Sequence, residues 1–250
     1  MKPARDQMPI RIVLTQPSHA GNVGAAARAM KTMGLTDLWL VAPREFPSAA
    51  ATARASGADD ILAAARKVES LPQAIADCVY VVGASARIRS LSWPSLDPRR
   101  CAAELWAYAA AGPVAVVFGP EQAGLTNEDL ARCQALVHIP ANPAYSSLNL
   151  AMAVQVICYE IRMAQSGVVG DALGGEEPRD APLATADELE ALHAHLEDVM
   201  RRSRYLNPDH PQQLKLRLRR LFNRARLDQT EVNILRGLLA AVDTGKAPRE

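Results

Sequence analysis

Residues 139–154 read Ile-Pro-Ala-Asn-Pro-Ala-Tyr-Ser-Ser-Leu-Asn-Leu-Ala-Met-Ala-Val and pass from a strand end through a polar loop into an apolar helix. Pro140 and Pro143 exclude regular structure across the loop. Ser146 and Ser147 supply the hydroxyl groups of a helix N-cap, which predicts a helix over residues 146–163. Backbone donors, hydroxyls and an amide meet here, as in a ligand site. By itself the segment is equally compatible with an ordinary capped, buried helix.

A second polar segment, residues 15–28, follows the apolar run of residues 10–14 and opens an alanine-rich helix. Arg28 lies one turn past Gly24. Because helical side chains lean toward the helix N-terminus, we expect its guanidinium at the carboxyl edge of the first strand, where open α/β sheets bind ligands. An arginine in that position suits a phosphate ligand.

A third polar segment, residues 118–130, follows the apolar run of residues 114–117. Gly119 and Gly124 permit backbone conformations that other residues resist and allow a ligand to approach closely. Thr126 and Asp129 have the spacing of a helix-opening cap. The chain therefore places three unusual polar segments at the ends of three apolar strands.

These segments together resemble the SpoU branch of the SPOUT RNA methyltransferases. The resemblance rests on Asn22 with Arg28, on Phe118-Gly-Pro-Glu121 with Gly124-Leu-Thr126, and on residues 145–151, Tyr-Ser-Ser-Leu-Asn-Leu-Ala. It implies a C-terminal trefoil knot that binds S-adenosylmethionine, in a homodimer whose active site takes residues from both subunits. The rarity of knotted folds among proteins would by itself argue against a knot.

The resemblance also implies a cofactor pocket that uses mainly backbone contacts. Its residues would be Ala84, Ser85, Ala86, Gly119, Ile139, Ser146, Ser147 and Leu148. Small residues after a strand are common in α/β proteins, so the segment of residues 84–86 alone could equally be a plain connector.

Methyl transfer to a ribose 2'-hydroxyl depends mainly on alignment. Arginine is a poor general base, so we assign Arg28 the role of holding a phosphate and polarising the hydroxyl, with Ser147 or Asn149 as proton acceptor or relay. Glu121 would orient Arg28 or another basic group, or serve only as a structural hydrogen-bond acceptor. Asn22 would shape its loop and contact Arg28 or RNA.

Composition narrows the class of protein. The chain has 250 residues, 49% of them hydrophobic, with a net charge of +1, so it has ample core and is not uniformly basic. Four dispersed cysteines indicate buried thiols in a reducing compartment, with neither a zinc site nor disulfides. No segment resembles a signal peptide or a membrane span, so we expect a cytoplasmic protein without bound metal or membrane partner.

Short apolar runs alternate with helical patterns through the first 164 residues, which predicts an α/β fold with a parallel sheet covered on both faces. The predicted strands are residues 10–14, 38–41, 79–82, 114–117 and 136–139. The predicted helices are residues 21–33, 98–111, 126–133 and 146–163. We therefore expect a SPOUT methyltransferase domain over residues 1–164, a linker over 165–182, and a small helical extension over 183–250.

Basic residues concentrate in the helical extension, which begins with the capping box Thr185-Ala-Asp-Glu188. Arginine suits backbone phosphate, so we predict RNA contacts for Arg87, Arg89, Arg219, Arg220, Arg224 and Arg226. A solvated charged face is the alternative for this cluster.

The resemblance implies S-adenosylmethionine-dependent 2'-O-methylation of tRNA, at a cytidine or uridine in position 32 of the anticodon loop. The helical extension favours tRNA, because it resembles that of a tRNA-modifying group of the SpoU branch. The alternatives are a 2'-O-methyltransferase of ribosomal RNA and a catalytically silent RNA-binding factor on the same fold. No Gly-x-Gly-x-x-Gly motif follows a strand, which disfavours an ordinary Rossmann enzyme.

Overall fold

The computed structural model describes residues 9–86, 94–166, 181–206 and 211–243, without the side chains of residues 211, 212 and 243. Seven parallel strands form one sheet in the order β3-β2-β1-β6-β4-β7-β5. The strands are β1 Ile10–Thr15, β2 Leu38–Val41, β3 Arg66–Val68, β4 Tyr80–Ala84, β5 Ser95–Leu96, β6 Val114–Phe118 and β7 Ala135–Val137. The predicted α/β class with a parallel sheet is confirmed.

Helices connect the strands and form the C-terminal extension. They are α1 Ala20–Met33, α2 Ala49–Ala55, α3 Asp59–Ala64, α4 Leu71–Ile75, α5 Pro98–Tyr108, α6 Asn127–Leu130, α7 Leu150–Gln165, α8 Ala186–Arg202, α9 Pro211–Ala225 and α10 Gln229–Asp243. The predicted caps of α6 and α8 are confirmed, because Thr126 and Thr185 each accept a backbone N–H at the start of their helix, and Asp97 caps α5 in the same way.

The predicted start of α7 at Ser146 is wrong. The helix begins at Leu150, and its N-cap is Asn149, whose side-chain oxygen accepts the Ala151 N–H at 2.9 Å. A cap oxygen must lie immediately before the first helical turn. Asn149 meets this condition, which leaves Ser146 and Ser147 in the loop.

The sheet is covered on both faces, as alternation along β1 illustrates. Ile12 and Leu14 pack with α1, α5 and α7 in the larger core, while Val13 points to the smaller core with α4 and α6. Gly24 lets α2 lie against α1, because a Cβ atom there would be 1.9 Å from the Ala51 carbonyl oxygen. This contact positions the helix that carries Arg28.

The helical extension docks on the sheet domain. Its own small core is formed by Ala184, Leu189, Leu192, Leu227 and Val232. The Asn223 amide donates to the carbonyl oxygens of Ala131 at 3.0 Å and Cys133 at 3.1 Å, and these contacts are buried. Hydrogen bonds therefore bridge α9 and the α6–β7 connection.

All four cysteines are buried and free of disulfides, as expected. None of the helices within the described ranges is long and apolar enough to cross a membrane. Strand order alone leaves the trefoil knot untested, so the knot stays a prediction.

Candidate active site

A cavity opens where the carboxyl ends of β4, β6 and β7 lie side by side. The structure brings together around it all eight residues of the predicted cofactor pocket: Ala84, Ser85, Ala86, Gly119, Ile139, Ser146, Ser147 and Leu148. Leu125, Leu150 and Ala153 add apolar surface. The loops after β4, β6 and β7 thus form one cavity, which is lined by small side chains, backbone groups and aliphatic side chains.

The loop after β6 doubles back on itself at this cavity. A Cβ atom on Gly119 would lie 2.3 Å from the backbone nitrogen of Leu125, and Gly124 has a positive φ of 66°. Both positions therefore require glycine. The tight turn places Glu121 between the cavity and the loop that follows β1.

Glu121 accepts hydrogen bonds from several donors of the β1–α1 segment. They are the Ser18 N–H at 3.0 Å, the Ser18 hydroxyl at 2.7 Å, the His19 N–H at 3.3 Å and the Asn22 amide at 2.8 Å. Burial opposes ionisation, but the bonds from Asn22 and Ser18 outweigh it and lower the pKa of Glu121 to about 2. Glu121 therefore orients Asn22, whereas the hydrogen bonds that it accepts come from this segment and not from Arg28.

Asn22 connects Glu121 to the N-terminus of α7 through hydrogen bonds. Its Nδ2 donates to Glu121, so its Oδ1 is free to accept the Asn149 amide at 3.0 Å. Asn149 also caps α7 through Ala151. Three predicted site residues thus form one chain of hydrogen bonds between the loops after β1 and β6 and the start of α7.

Arg28 projects from α1 into an open cleft beside these three hydrogen-bonded side chains. Asn22 and His19, at the start of α1, line the same cleft, as the position of Arg28 in the helix predicts. Its side chain is exposed and has no hydrogen-bond or ion-pair partner among the described residues. The cleft is lined by His19, Gly21, Asn22, Ala25, Arg28, Ala29, Thr32, Met33, Arg54, Asn149, Ala151, Met152 and Gln155. None of these residues carries a carboxylate, so the cleft favours anions.

The cavity and the cleft lie on different sides of the start of α7. Leu148 and Leu150 line the cavity, whereas Asn149 and Met152 line the cleft. Within one subunit, the predicted cofactor cavity and the cleft that holds Arg28 are therefore separate. The side chains of Glu121, Asn22 and Asn149 connect them through hydrogen bonds.

Two of the predicted RNA-binding arginines are engaged inside the protein. Arg219 makes two hydrogen bonds of 2.7 Å with Glu190, and Arg226 contacts the Tyr108 hydroxyl and the buried Glu104. The Arg226 contacts hold the extension to α5 of the sheet domain, and the Arg219 pair joins α9 to α8, so we assign these two side chains to the fold rather than to RNA.

The remaining predicted RNA contacts fall into two groups. Arg220 and Arg224 have no side-chain partner within the part of the chain that the structure describes, and Arg224 is exposed, as is Arg217 on the same helix. Arg87 and Arg89 lie outside the described residues.

Sequence reasoning missed two residues of the site. Ser18 holds Glu121 through both its backbone and its hydroxyl, and its position just after β1 was an available signal. Arg54 reaches the cleft from α2, a helix whose packing the sequence pattern did not indicate. Within the described ranges no cluster of His, Cys, Asp and Glu side chains could hold a metal ion.

Comparison with known proteins agrees with this geometry. Residues 9–159 match the SpoU rRNA Methylase family, and residues 187–250 match the C-terminal domain of the tRNA methyltransferase TrmJ. The tRNA (cytidine/uridine-2'-O-)-methyltransferase TrmJ of Klebsiella pneumoniae is 51% identical over 234 residues, which cover 94% of this chain and 96% of the relative.

Solved structures give the same result. The crystal structure of TrmJ from Z. mobilis is 35% identical with a TM-score of 0.81, covering 93% of this chain and 98% of that one. A probable methylase family protein from Haemophilus influenzae is 43% identical with a TM-score of 0.63, covering 95% and 97%. The chain belongs to the SpoU methylase family and, within that family, to the TrmJ group.

Proposed function

We propose that the protein transfers a methyl group from S-adenosylmethionine to the ribose 2'-oxygen of a cytidine or uridine in tRNA, at position 32 of the anticodon loop. The observation that carries the proposal is the hydrogen-bonded chain from Glu121 through Asn22 to Asn149, which joins the cavity to the Arg28 cleft. The relatives named for tRNA 2'-O-methylation support the substrate class.

The cavity has the lining that S-adenosylmethionine requires. Leu125, Ile139 and Leu150 offer an apolar wall for an adenine ring, while the loop around Ser146 offers hydrogen-bonding groups. The turn at Gly119 brings backbone close to the ligand space. When bound there, S-adenosylmethionine would supply an electrophilic methyl group: the ribose 2'-oxygen would bond to the methyl carbon as the carbon–sulfur bond breaks, and the neutral thioether S-adenosylhomocysteine would leave.

The protein's contribution to such a displacement is alignment. Arg28 is exposed and unpaired among the described residues, so its planar guanidinium can take a phosphate in a two-point contact and hold the neighbouring ribose. Asn22 and Asn149 fix the adjacent wall of the cleft. The cation also favours the negative charge that develops on the 2'-oxygen.

The proton of the 2'-hydroxyl needs an acceptor or a relay. Asn149 donates from its amide nitrogen to Asn22 and accepts from the Ala151 N–H through its oxygen, so both polar atoms of its side chain already have a partner. Ser147 is exposed beside the cavity and has no side-chain partner within the described ranges. We therefore favour Ser147 as the relay and assign Asn149 a positioning role.

A homodimer completes this site in our proposal. Because cavity and cleft face different sides of α7, one chain alone separates its Arg28 from its own cavity. Exposed Tyr145 in the loop before α7, with Met152 and Tyr159 on α7 itself, provides apolar surface for a second copy. In the dimer, the partner's cleft would face the cavity.

We assign catalysis to residues 1–164 and tRNA docking to the extension over residues 183–250, acting where tRNA is processed, in the cytoplasm. Arg217, Arg220 and Arg224 present the free basic surface of the extension. Contacts of this kind give affinity and orientation rather than base reading.

Methyl mapping tests the proposal directly. We expect the full-length protein, incubated with tRNA and labelled S-adenosylmethionine, to place one 2'-O-methyl group at position 32. Arg28→Ala should lower the rate by at least about 100-fold because the substrate is no longer aligned, with cofactor affinity unchanged by calorimetry. Arg66→Ala, which removes an exposed arginine outside the cleft, is the matched control.

Other outcomes separate the alternatives. Methylation of ribosomal RNA with tRNA untouched would overturn the tRNA substrate and keep the chemistry. Tight RNA binding without any methyl transfer would indicate a silent binding factor. Near-normal turnover by Arg28→Ala would remove the role proposed for that residue.

A further inference from the structure

Arg54 is a second cation in the Arg28 cleft, and its placement follows from the way two helices pack. Gly24 of α1 touches the carbonyl group of Ala51 in α2, where a Cβ atom would come within 1.9 Å. Three residues later in α2 and three residues earlier in α1, the Cγ of Arg54 lies 3.5 Å from the Cβ position of Gly21. The two helices therefore run antiparallel here.

This packing positions the side chain of Arg54. Its aliphatic stem lies over Gly21, which has no side chain to push it aside, and Arg54 lines the cleft together with Asn22 and Arg28. Helical side chains at positions three apart share a face, so Arg54 lies on the same face of α2 as Ala51. The stem is held although the side chain is exposed.

The charge of Arg54 is not used within the described part of the protein. No hydrogen bond or ion pair joins it to another described residue, and no carboxylate lines the cleft. An unpaired arginine is often only a solvated residue. Arg54, however, lies in a cleft without carboxylates, together with Arg28, the residue that we propose binds an RNA phosphate.

We propose that Arg54 binds the RNA phosphate next to the one held by Arg28, so that two arginines grip the backbone of the target nucleotide. The inference rests on the proposed function and assigns Arg54 a positioning role. The cleft, of about 930 Å³, has room for a stretch of RNA backbone. Two fixed phosphates restrict rotation of the ribose between them, which a single contact cannot do.

The test compares the full-length protein with Arg54→Gln, Arg54→Lys and the control Arg66→Gln. Arg66 is an exposed arginine that lies over Trp39, outside the cleft. We expect Arg54→Gln to raise KM for tRNA about tenfold, as loss of a charged hydrogen bond does, and to lower kcat as well because the ribose is less well aligned. The slope of log affinity against log salt should fall by roughly one in filter binding.

Arg54→Lys should keep the salt slope and recover only part of KM, because a point charge cannot reproduce a two-point contact. Melting temperature and cofactor affinity should match the wild type in all variants. Arg54→Gln with the KM and salt slope of Arg66→Gln would overturn the inference. A wild type that binds tRNA without methylating it would defeat the proposed function alone, since filter binding still decides the role of Arg54.

Discussion

Glu121 shows how one carboxylate can order several donors of a candidate site. Its two oxygens accept from Ser18, His19 and Asn22, and its low pKa of about 2 keeps it charged throughout the neutral range. A group with a lowered pKa stabilises the fold above its ordinary value of about 4.5, and this contribution disappears as pH falls toward about 2. The Asn22 amide is oriented by this charge.

Replacing the carboxylate by an amide should therefore disturb catalysis. Glu121→Gln exchanges one acceptor oxygen for an NH2 group that faces the donors of Ser18 or Asn22. We expect kcat to fall about tenfold or more, the effect of an unsatisfied buried donor, with a smaller change in KM for tRNA. Single-turnover kinetics would measure it. Glu128→Gln, at an exposed carboxylate of α6, is the control. Equal kcat values for both variants would contradict the role of Glu121.

Sequence motifs predicted the residues of the site better than their contacts. Asn22, Arg28, Glu121 and Asn149 were identified because each belongs to a polar segment at a strand end. Their hydrogen bonds depend on how the loops after β1 and β6 meet, which no local pattern encodes. Arg54 carried no signal, since its position depends on the contact between α1 and α2.

At the scale of elements, helix α9 carries two kinds of arginine. Arg219 faces inward to Glu190, while Arg217 and Arg224 face solvent without partners among the described residues. Helix propensity and net charge are the same for all of these arginines, so neither property distinguishes them. Only the docked position of the helix separates a structural face from a free one, which is why the sequence predicted RNA contacts for both.

The two faces should respond differently to the same change. Arg220→Gln with Arg224→Gln should weaken tRNA binding and reduce the salt slope by roughly one for each phosphate that is no longer bound, leaving the melting temperature unchanged. Arg219→Gln should instead lower the free energy of unfolding by about 1–3 kcal/mol, because Glu190 loses one of its two arginine partners and keeps only Arg132. Urea titration and filter binding measure the two effects. A stability loss in the first variant, or none in the second, would contradict this division.

Short or polar elements escaped prediction for physical reasons. Strand β3 has two exposed basic residues, and β5 has only two residues, so neither shows an apolar period. The start of α7 was misplaced because serine and asparagine are nearly equal N-caps, and sequence alone could not choose between Ser146 and Asn149.

At the scale of the whole molecule, the alternation of apolar runs with helical patterns predicted a parallel sheet. It did not predict the order of the strands in that sheet. The cavity exists because β6, β4 and β7 are neighbours, although β5 and α5 separate β4 from β6 in the chain. Such neighbours are a property of topology, and only the family resemblance implied that these three loops would meet.

The joint between sheet domain and extension contains a buried histidine that should make stability depend on pH. Burial, then Arg219 and Arg132, lower the pKa of His193 to about 4, while Glu190 opposes them. Its Nε2 has no hydrogen-bond partner among the described residues, and its ring lies near Phe222. The folded state therefore holds His193 neutral, whereas the unfolded chain protonates it below about pH 6.5.

Protons consequently favour unfolding between about pH 6.5 and about pH 4, so this contribution to stability is lost as pH falls through that window. His193→Leu removes the titration and keeps an apolar side chain against Phe222. We expect its free energy of unfolding to decline less than that of the wild type between pH 7 and pH 5, measured by urea denaturation. His195→Leu, which replaces another histidine of α8 that is only half-buried, is the control. Parallel declines for wild type and His193→Leu would mean that the joint tolerates a charged His193, and that the acid sensitivity arises from carboxylates such as Glu190.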